Sequence, residues 1–300
     1  MNPVNPCLEI DPQVFRHHFN RRPFLFRHSL SSHPLFELPR LIELSGELNG
    51  RYLEFNAGQI PVNLPNWEDT PYTGLDAERT IRQAATVCSW MVLKRAEHSA
   101  DYARLLDACL DEIQPLSEPI EPGMCEREAA VFVSSPSSVT PFHMDHEINF
   151  LLQLRGSKII SVFSAGDRAV LSERELEEHF CGPAIHRNLS FLERYQDRAT
   201  VFQLHAGFGL HIPTTDPHWV MNGTEVSVSF SAAFKTRASL RRGHVYRMNA
   251  ALRRLGVSPV PWNHSPQRDL LKHHAYRVLH RLQWLARAPT AESAASIRNP

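Results

Sequence analysis

Three hundred residues, with 42% apolar and 21% charged side chains and 32 Lys and Arg against 32 Asp and Glu, describe a globular chain able to bury a sizeable core and exclude a disordered one. The opening MNPVNPCLEIDPQVFRHHF lacks the cationic start and apolar run of an export signal, and no stretch approaches the roughly 18 apolar residues of a membrane span. A cytoplasmic location and no membrane partner are therefore expected.

The five cysteines, Cys7, Cys88, Cys109, Cys125 and Cys181, are scattered and form no CxxC pair, so reduced thiols are expected rather than a zinc knuckle. The zero net charge conceals an asymmetry. Residues 237 to 288 carry eleven Arg or Lys against the single acid Asp269, which leaves the first 236 residues acidic by about ten charges.

Residues 1 to 50 mix apolar and basic side chains around FRHHFNRRPFLFRHSL, then turn helical in LFELPRLIELSGEL, a lead-in that packs on the main sheet. From Arg51 to Thr73, Pro61, Pro65 and Pro71 stand among Asn and Gly, which predicts a long surface loop. Leu75 to Ala85 predicts a helix and Cys88 to Lys94 a short strand. A second helix follows, capped by Ser99 and closed by Pro115, with Tyr102, Leu105, Leu106, Cys109, Leu110 and Ile113 on one face.

After Pro122 come short β-branched and aromatic runs, AAVFVSS, FHMDHEINFLLQL, KIISVF, ATVFQL, GLHIP, HWVM and EVSVSFSAAF, which argue for a sandwich or barrel. Asp167 to Arg198 reads as an insertion holding the helix LSERELEEHF. Arg155-Gly156-Ser157 and Asn222-Gly223 each predict a hairpin turn. The last 60 residues predict helices: one from Ser239 to Leu255 stopped by Gly256, and one opened by Ser265-Pro266 with Leu271, Ala275, Val278, Leu279, Leu282 and Leu285 on a stripe.

Within FHMDHEINFLLQL, His143 and Asp145 lie two apart, so on one extended strand they point the same way and can grip one metal ion. Non-haem Fe(II) oxygenases hold iron with two histidines and one carboxylate. Of the downstream candidates His205, His211 and His218, the last lies just before a hairpin strand and is the expected third ligand; His211 is the reserve.

Together these residues resemble the JmjC branch of the Fe(II)- and 2-oxoglutarate-dependent oxygenases, over about residues 120 to 235. In the asparaginyl-hydroxylase type a threonine lies three before the first histidine, an asparagine four after the aspartate and a lysine thirteen after it; here those positions hold Thr140, Asn149 and Lys158. The resemblance implies a mostly β core with flanking helices, a double-stranded β-helix of the cupin or jelly-roll type. The oxygenase domain spans 1–238, followed by a basic helical appendage over 239–300.

The resemblance further implies His143, Asp145 and His218 as iron ligands. Thr140 and Lys158 then bind the distal carboxylate of 2-oxoglutarate, with Asn149 near its metal-bound end. The arginine that other branches place about ten residues after the distal histidine is Val228 here. Asparagine and tryptophan positions of the hydroxylases are occupied by Ser229, carried as a cosubstrate residue, and Ser231. The reaction implied consumes O2 and 2-oxoglutarate, releases succinate and CO2, and hydroxylates an amino-acid side chain in a free, peptide or protein substrate, with demethylation the lesser alternative.

Two rival readings are a non-catalytic cupin-like binding protein and a metal-dependent cupin enzyme that does not use 2-oxoglutarate. A lone HxD motif arises easily by chance, and the C-terminal charge is ordinarily a solvated face. The apolar stripe of the last helix predicts a homodimer; a nucleic-acid or ribosomal partner is the minority reading, because no recognised binding motif accompanies the charge.

Overall fold

The strands after Pro122 are rich in apolar side chains, which requires the sheets they form to be covered. The computed structural model, which describes residues 6–182 and 187–287 apart from the side chains of 283–287, shows how. In chain order the elements are β1 (Leu8–Glu9), α1 (Pro12–His18), β2 (Phe24–His28), α2 (Leu38–Glu47), β3 (Leu53–Ala57), α3 (Ala77–Arg82), β4 (Ser89–Lys94), α4 (Ala100–Ser117), β5 (Cys125–Ser134), β6 (Val139–His143), β7 (Ile148–Arg155), β8 (Ser157–Val162), α5 (Glu173–His179), β9 (Thr200–His205), β10 (Phe208–Ile212), β11 (His218–Asn222), β12 (Ser227–Lys235), α6 (Arg237–Arg254) and α7 (Pro266–Arg287).

Among the described residues twelve strands form two antiparallel sheets, an eight-stranded one in the order β1-β2-β10-β7-β12-β5-β4-β3 and a four-stranded one in the order β6-β11-β8-β9. The architecture is a mostly β jelly roll with flanking helices, as expected. Because side chains alternate along a strand, the large sheet feeds two cores. Leu151, Leu210 and Ile212 meet Ile160, Val162, Leu204 and Val220 of the small sheet. On its other face Phe150, Leu152, Phe230 and Phe234 pack with Phe15, Leu41 and Leu106 of the helices.

Both expected hairpins are crossings between the sheets. β7 pairs with β10 and β12, whereas β8 pairs with β9 and β11, so the chain turning at Gly156 changes sheet instead of pairing with itself. Gly156 has φ +70°, and a Cβ there would sit 2.7 Å from the Val226 carbonyl oxygen. Asn222 and Gly223 likewise lead from β11 to β12 in the other sheet, with no positive φ at either. There Asn222 Nδ2 donates to the Ser138 carbonyl and hydroxyl at 3.0 Å.

Three further differences have local causes. Residues 53–57, read as loop, form β3 on β4, because all three prolines fall after Ala57. FLFRH, read as lead-in, is β2 and joins the sheet beside β10. α4 runs through Pro115 to Ser117, and Ser99 occupies its N-cap without a side-chain hydrogen bond to the helix N–H groups.

Contacts divide the chain into two units, Met1–Ser172 with Ala184–Ser239 and Glu173–Pro183 with Leu240–Pro300. The insertion helix α5 therefore groups with the C-terminal helices, where the sequence reading kept it in the oxygenase domain. Within this second unit the fully buried Glu177 accepts from Arg253 Nε at 2.5 Å, and the Phe180 and Tyr246 rings lie 5.1 Å apart. Gly256 at φ +81° follows the end of α6. Among the described residues no helix is long and apolar enough to cross a membrane.

Candidate metal and cosubstrate site

His143 is the last residue of β6, and Asp145 lies just beyond it, where the chain leaves the small sheet for the large one. The two do not share one strand, as the sequence suggested. Proximity comes instead from β11, whose first residue, His218, pairs with His143. Their rings lie 4.2 Å apart, and His218 Nε2 is 3.8 Å from Asp145 Oδ2. One ligand atom from each of the three residues falls within 4.8 Å of the others.

The backbone orients both imidazoles. His143 Nδ1 lies 2.7 Å from the Pro141 carbonyl and His218 Nδ1 3.0 Å from that of Asp216. An N–H donated to each carbonyl leaves the lone pair on Nε2, aimed into the cluster, an arrangement that metal-binding histidines depend on. Burial, with His218 nearby, pushes His143 down to about 4, so it is neutral at pH 7. Burial by itself would raise Asp145, but Arg187, His143 and His218 outweigh it and hold the carboxyl well below its ordinary range.

Arg187 is the residue that sequence reasoning missed. Its Nη1 donates to Asp145 Oδ1 at 2.6 Å and to Glu147 Oε2 at 2.8 Å. With Oδ1 so engaged, Oδ2 is the oxygen facing His218. No spacing rule points to an arginine 42 residues from its partner in an irregular segment; only the fold joins them.

Lys158 stands on β8, paired with Asn222 of β11 and Leu204 of β9, and shares an inward face with Ile160 and Val162. His218 and Asn222 are four positions apart on β11, about 13 Å of strand, so Lys158 lies at the far end of the same face. Burial lowers its pKa to about 7, and among the described residues no carboxylate or hydrogen-bond acceptor meets its ammonium. A buried cation without a partner is costly and suits an anionic ligand.

Thr140 pairs with Val220, between those two ends. Across the interior, β12 presents Ser227, Ser229, Ser231 and Ala233, all small. Ser231 Oγ donates to Asn149 Oδ1 at 2.8 Å, and Ser229 Oγ donates to Gln153 Oε1 at 2.7 Å. Gln153 in turn donates to Ser227 Oγ at 2.9 Å. Ser229 thus gives its hydroxyl proton to Gln153, on a wall that is polar and thin.

His211 sits on the opposite face of the large sheet, its ring 4.9 Å from Phe24 and 4.6 Å from Phe150. Its Nε2 accepts from the Asn20 N–H at 2.9 Å, and burial pushes it down to about 3. It is a neutral core residue remote from the cluster. His205 is exposed on β9.

No protein-family model matches the chain, and no curated protein matches it. Among solved structures, an X-ray structure of Escherichia coli YcfD superposes with a TM-score of 0.52 at 15% identity, covering 94% of this chain and 69% of that one. A second structure of YcfD, a ribosomal oxygenase in complex with cobalt and 2-oxoglutarate, gives 0.48 at 13% identity, covering 94% and 69%. The first of these, at 15% identity, shows a shared fold.

Proposed function

We propose that this chain is a JmjC-type Fe(II)- and 2-oxoglutarate-dependent oxygenase that hydroxylates an amino-acid side chain. The observation that carries the reading is the pairing of a two-histidine, one-carboxylate cluster with a buried, unpartnered Lys158 on the same inward face. The cluster alone suits several cupin metal enzymes; the lysine adds the demand for an anion.

The residues divide the work as follows. His143, Asp145 and His218 would hold Fe(II), whose remaining positions would be open to substrate groups. Lys158, with the Thr140 hydroxyl, binds the distal carboxylate of 2-oxoglutarate, while Asn149, braced by Ser231, orients its metal-proximal end. Arg187 fixes which oxygen of Asp145 faces the metal. The iron, when bound, supplies the coupling of O2 and 2-oxoglutarate to C–H hydroxylation, with succinate and CO2 released. The apolar cluster of Ile160, Val162 and Val220 lines this face and excludes water.

YcfD, whose fold the chain shares, is a ribosomal oxygenase. Ribosomal proteins are accordingly the first substrates to test, followed by peptides and free amino acids. Succinate release matched by the gain of one oxygen atom in the substrate supports hydroxylation, whereas formaldehyde release assigns demethylation. The homodimer remains a proposal resting on α7, where Leu271, Val278, Leu279 and Leu282 are exposed.

A further inference from the structure

Outside the barrel, the second unit contains a cleft of about 700 Å³ lined by His244, Arg247, Tyr276, Arg277, His280 and Arg281. On α7 the residues His273, Tyr276, Arg277, His280 and Arg281 recur at i, i+3, i+4, i+7 and i+8, one face of the helix. They meet His244 and Arg247 of α6, one turn apart.

The wall is built from stacked rings. His244 lies 4.9 Å from His273 and 5.0 Å from Tyr276, in both cases at 27°, and Tyr276 lies 5.7 Å from His280. The Arg247 guanidinium stands over the Tyr276 ring at 5.9 Å. His244 Nδ1 and His273 Nδ1 are 2.9 Å apart, so one donates and the other accepts, and the pair is not doubly charged.

No carboxylate lines this cleft, and among the described residues none forms an ion pair with Arg247, Arg277 or Arg281. Bringing three guanidinium groups to one concavity without a counter-charge is repulsive. Burial first, and then the neighbouring His273 with the Arg247 and Arg277 guanidinium groups, push His244 down to about 4, in line with a positive field. Such an arrangement is stable in company with an anion.

We infer that this cleft binds the phosphate of a nucleotide, with the guanidinium groups on the phosphate oxygens and a base against the exposed His280 ring. Planar guanidinium forks match phosphate oxygens bidentately, and base stacking on rings tolerates any sequence. The volume suits a ligand of nucleotide size. The phosphate comes either from a free nucleoside phosphate or from single-stranded RNA, and the two differ in reach: a strand adds contacts beyond the cleft.

Fluorescence anisotropy of the full chain with a labelled ten-nucleotide single-stranded RNA, and competition by ATP and by a ten-residue poly-Glu peptide, test this. The inference expects binding that weakens with salt, at a log–log slope near −2 for about three phosphate contacts. Arg277→Gln/Arg281→Gln, at two exposed positions, should lower affinity at least tenfold and bring the slope near −0.7 with the circular dichroism unchanged. RNA binding that ATP displaces only weakly assigns a strand; equal displacement assigns a free nucleotide. No binding by either, unchanged binding in the double variant, or displacement by poly-Glu as effective as by ATP would overturn the inference.

Discussion

Lys158 shows how much one residue can carry. Its folded pKa, about 7, lies below its ordinary 10.5, so the unfolded chain binds the extra proton between those values. The cost of burying it is full below pH 7 and is relieved as pH rises towards 10.5. Lys158→Met should therefore raise the melting temperature most near pH 6 and little near pH 10, while weakening 2-oxoglutarate at least 30-fold, or about 2 kcal/mol. In the native protein, cosubstrate binding above pH 7 should take up a proton, visible as a dependence of the calorimetric heat on buffer ionisation. Equal heats across buffers at pH 8 would contradict a lysine–carboxylate contact. Arg187 acts one step further out: Arg187→Gln frees Asp145 Oδ1 and should weaken Fe(II) binding 10- to 100-fold with 2-oxoglutarate contacts retained, as measured by metal titration.

At the scale of elements, strand positions were legible and strand partners were not. Composition marks β-branched runs, and β5, β8, β9, β10, β11 and β12 fall on them. Yet a Gly turn between two strands reads alike whether they pair in one sheet or face each other across two. The same limit explains His143 and Asp145, read as neighbours on one strand yet brought together across a strand end. His218 was legible because it stands just before a predicted hairpin strand, whereas Arg187 lay in an irregular segment without pattern. Gly156 combines φ +70° with a close approach to Val226, so Gly156→Ala should destabilise the fold by about 1–3 kcal/mol, read by urea denaturation.

For the whole molecule, chemistry and charge are segregated. The barrel holds the candidate reaction site, and the basic helices hold an apolar stripe and a cationic cleft on different faces of α7. The C-terminal charge looked like an ordinary solvated face in sequence, because the cleft residues interleave with the leucines and only the meeting with α6 gathers them. If the apolar stripe makes a dimer, Leu271→Glu/Leu282→Glu should give a monomer in light scattering at micromolar concentration, where the native chain is twice that mass. A native monomer would remove the dimer from the account.

The central claim is that one inward face holds both a metal and 2-oxoglutarate. Anaerobic addition of Fe(II) and then 2-oxoglutarate tests it most directly, because their chelate absorbs weakly in the visible. The account predicts that band with the native chain, its loss in His143→Ala, and its appearance in Lys158→Met only at much higher 2-oxoglutarate. No band at saturating Fe(II) and 2-oxoglutarate, with the protein folded, would contradict it.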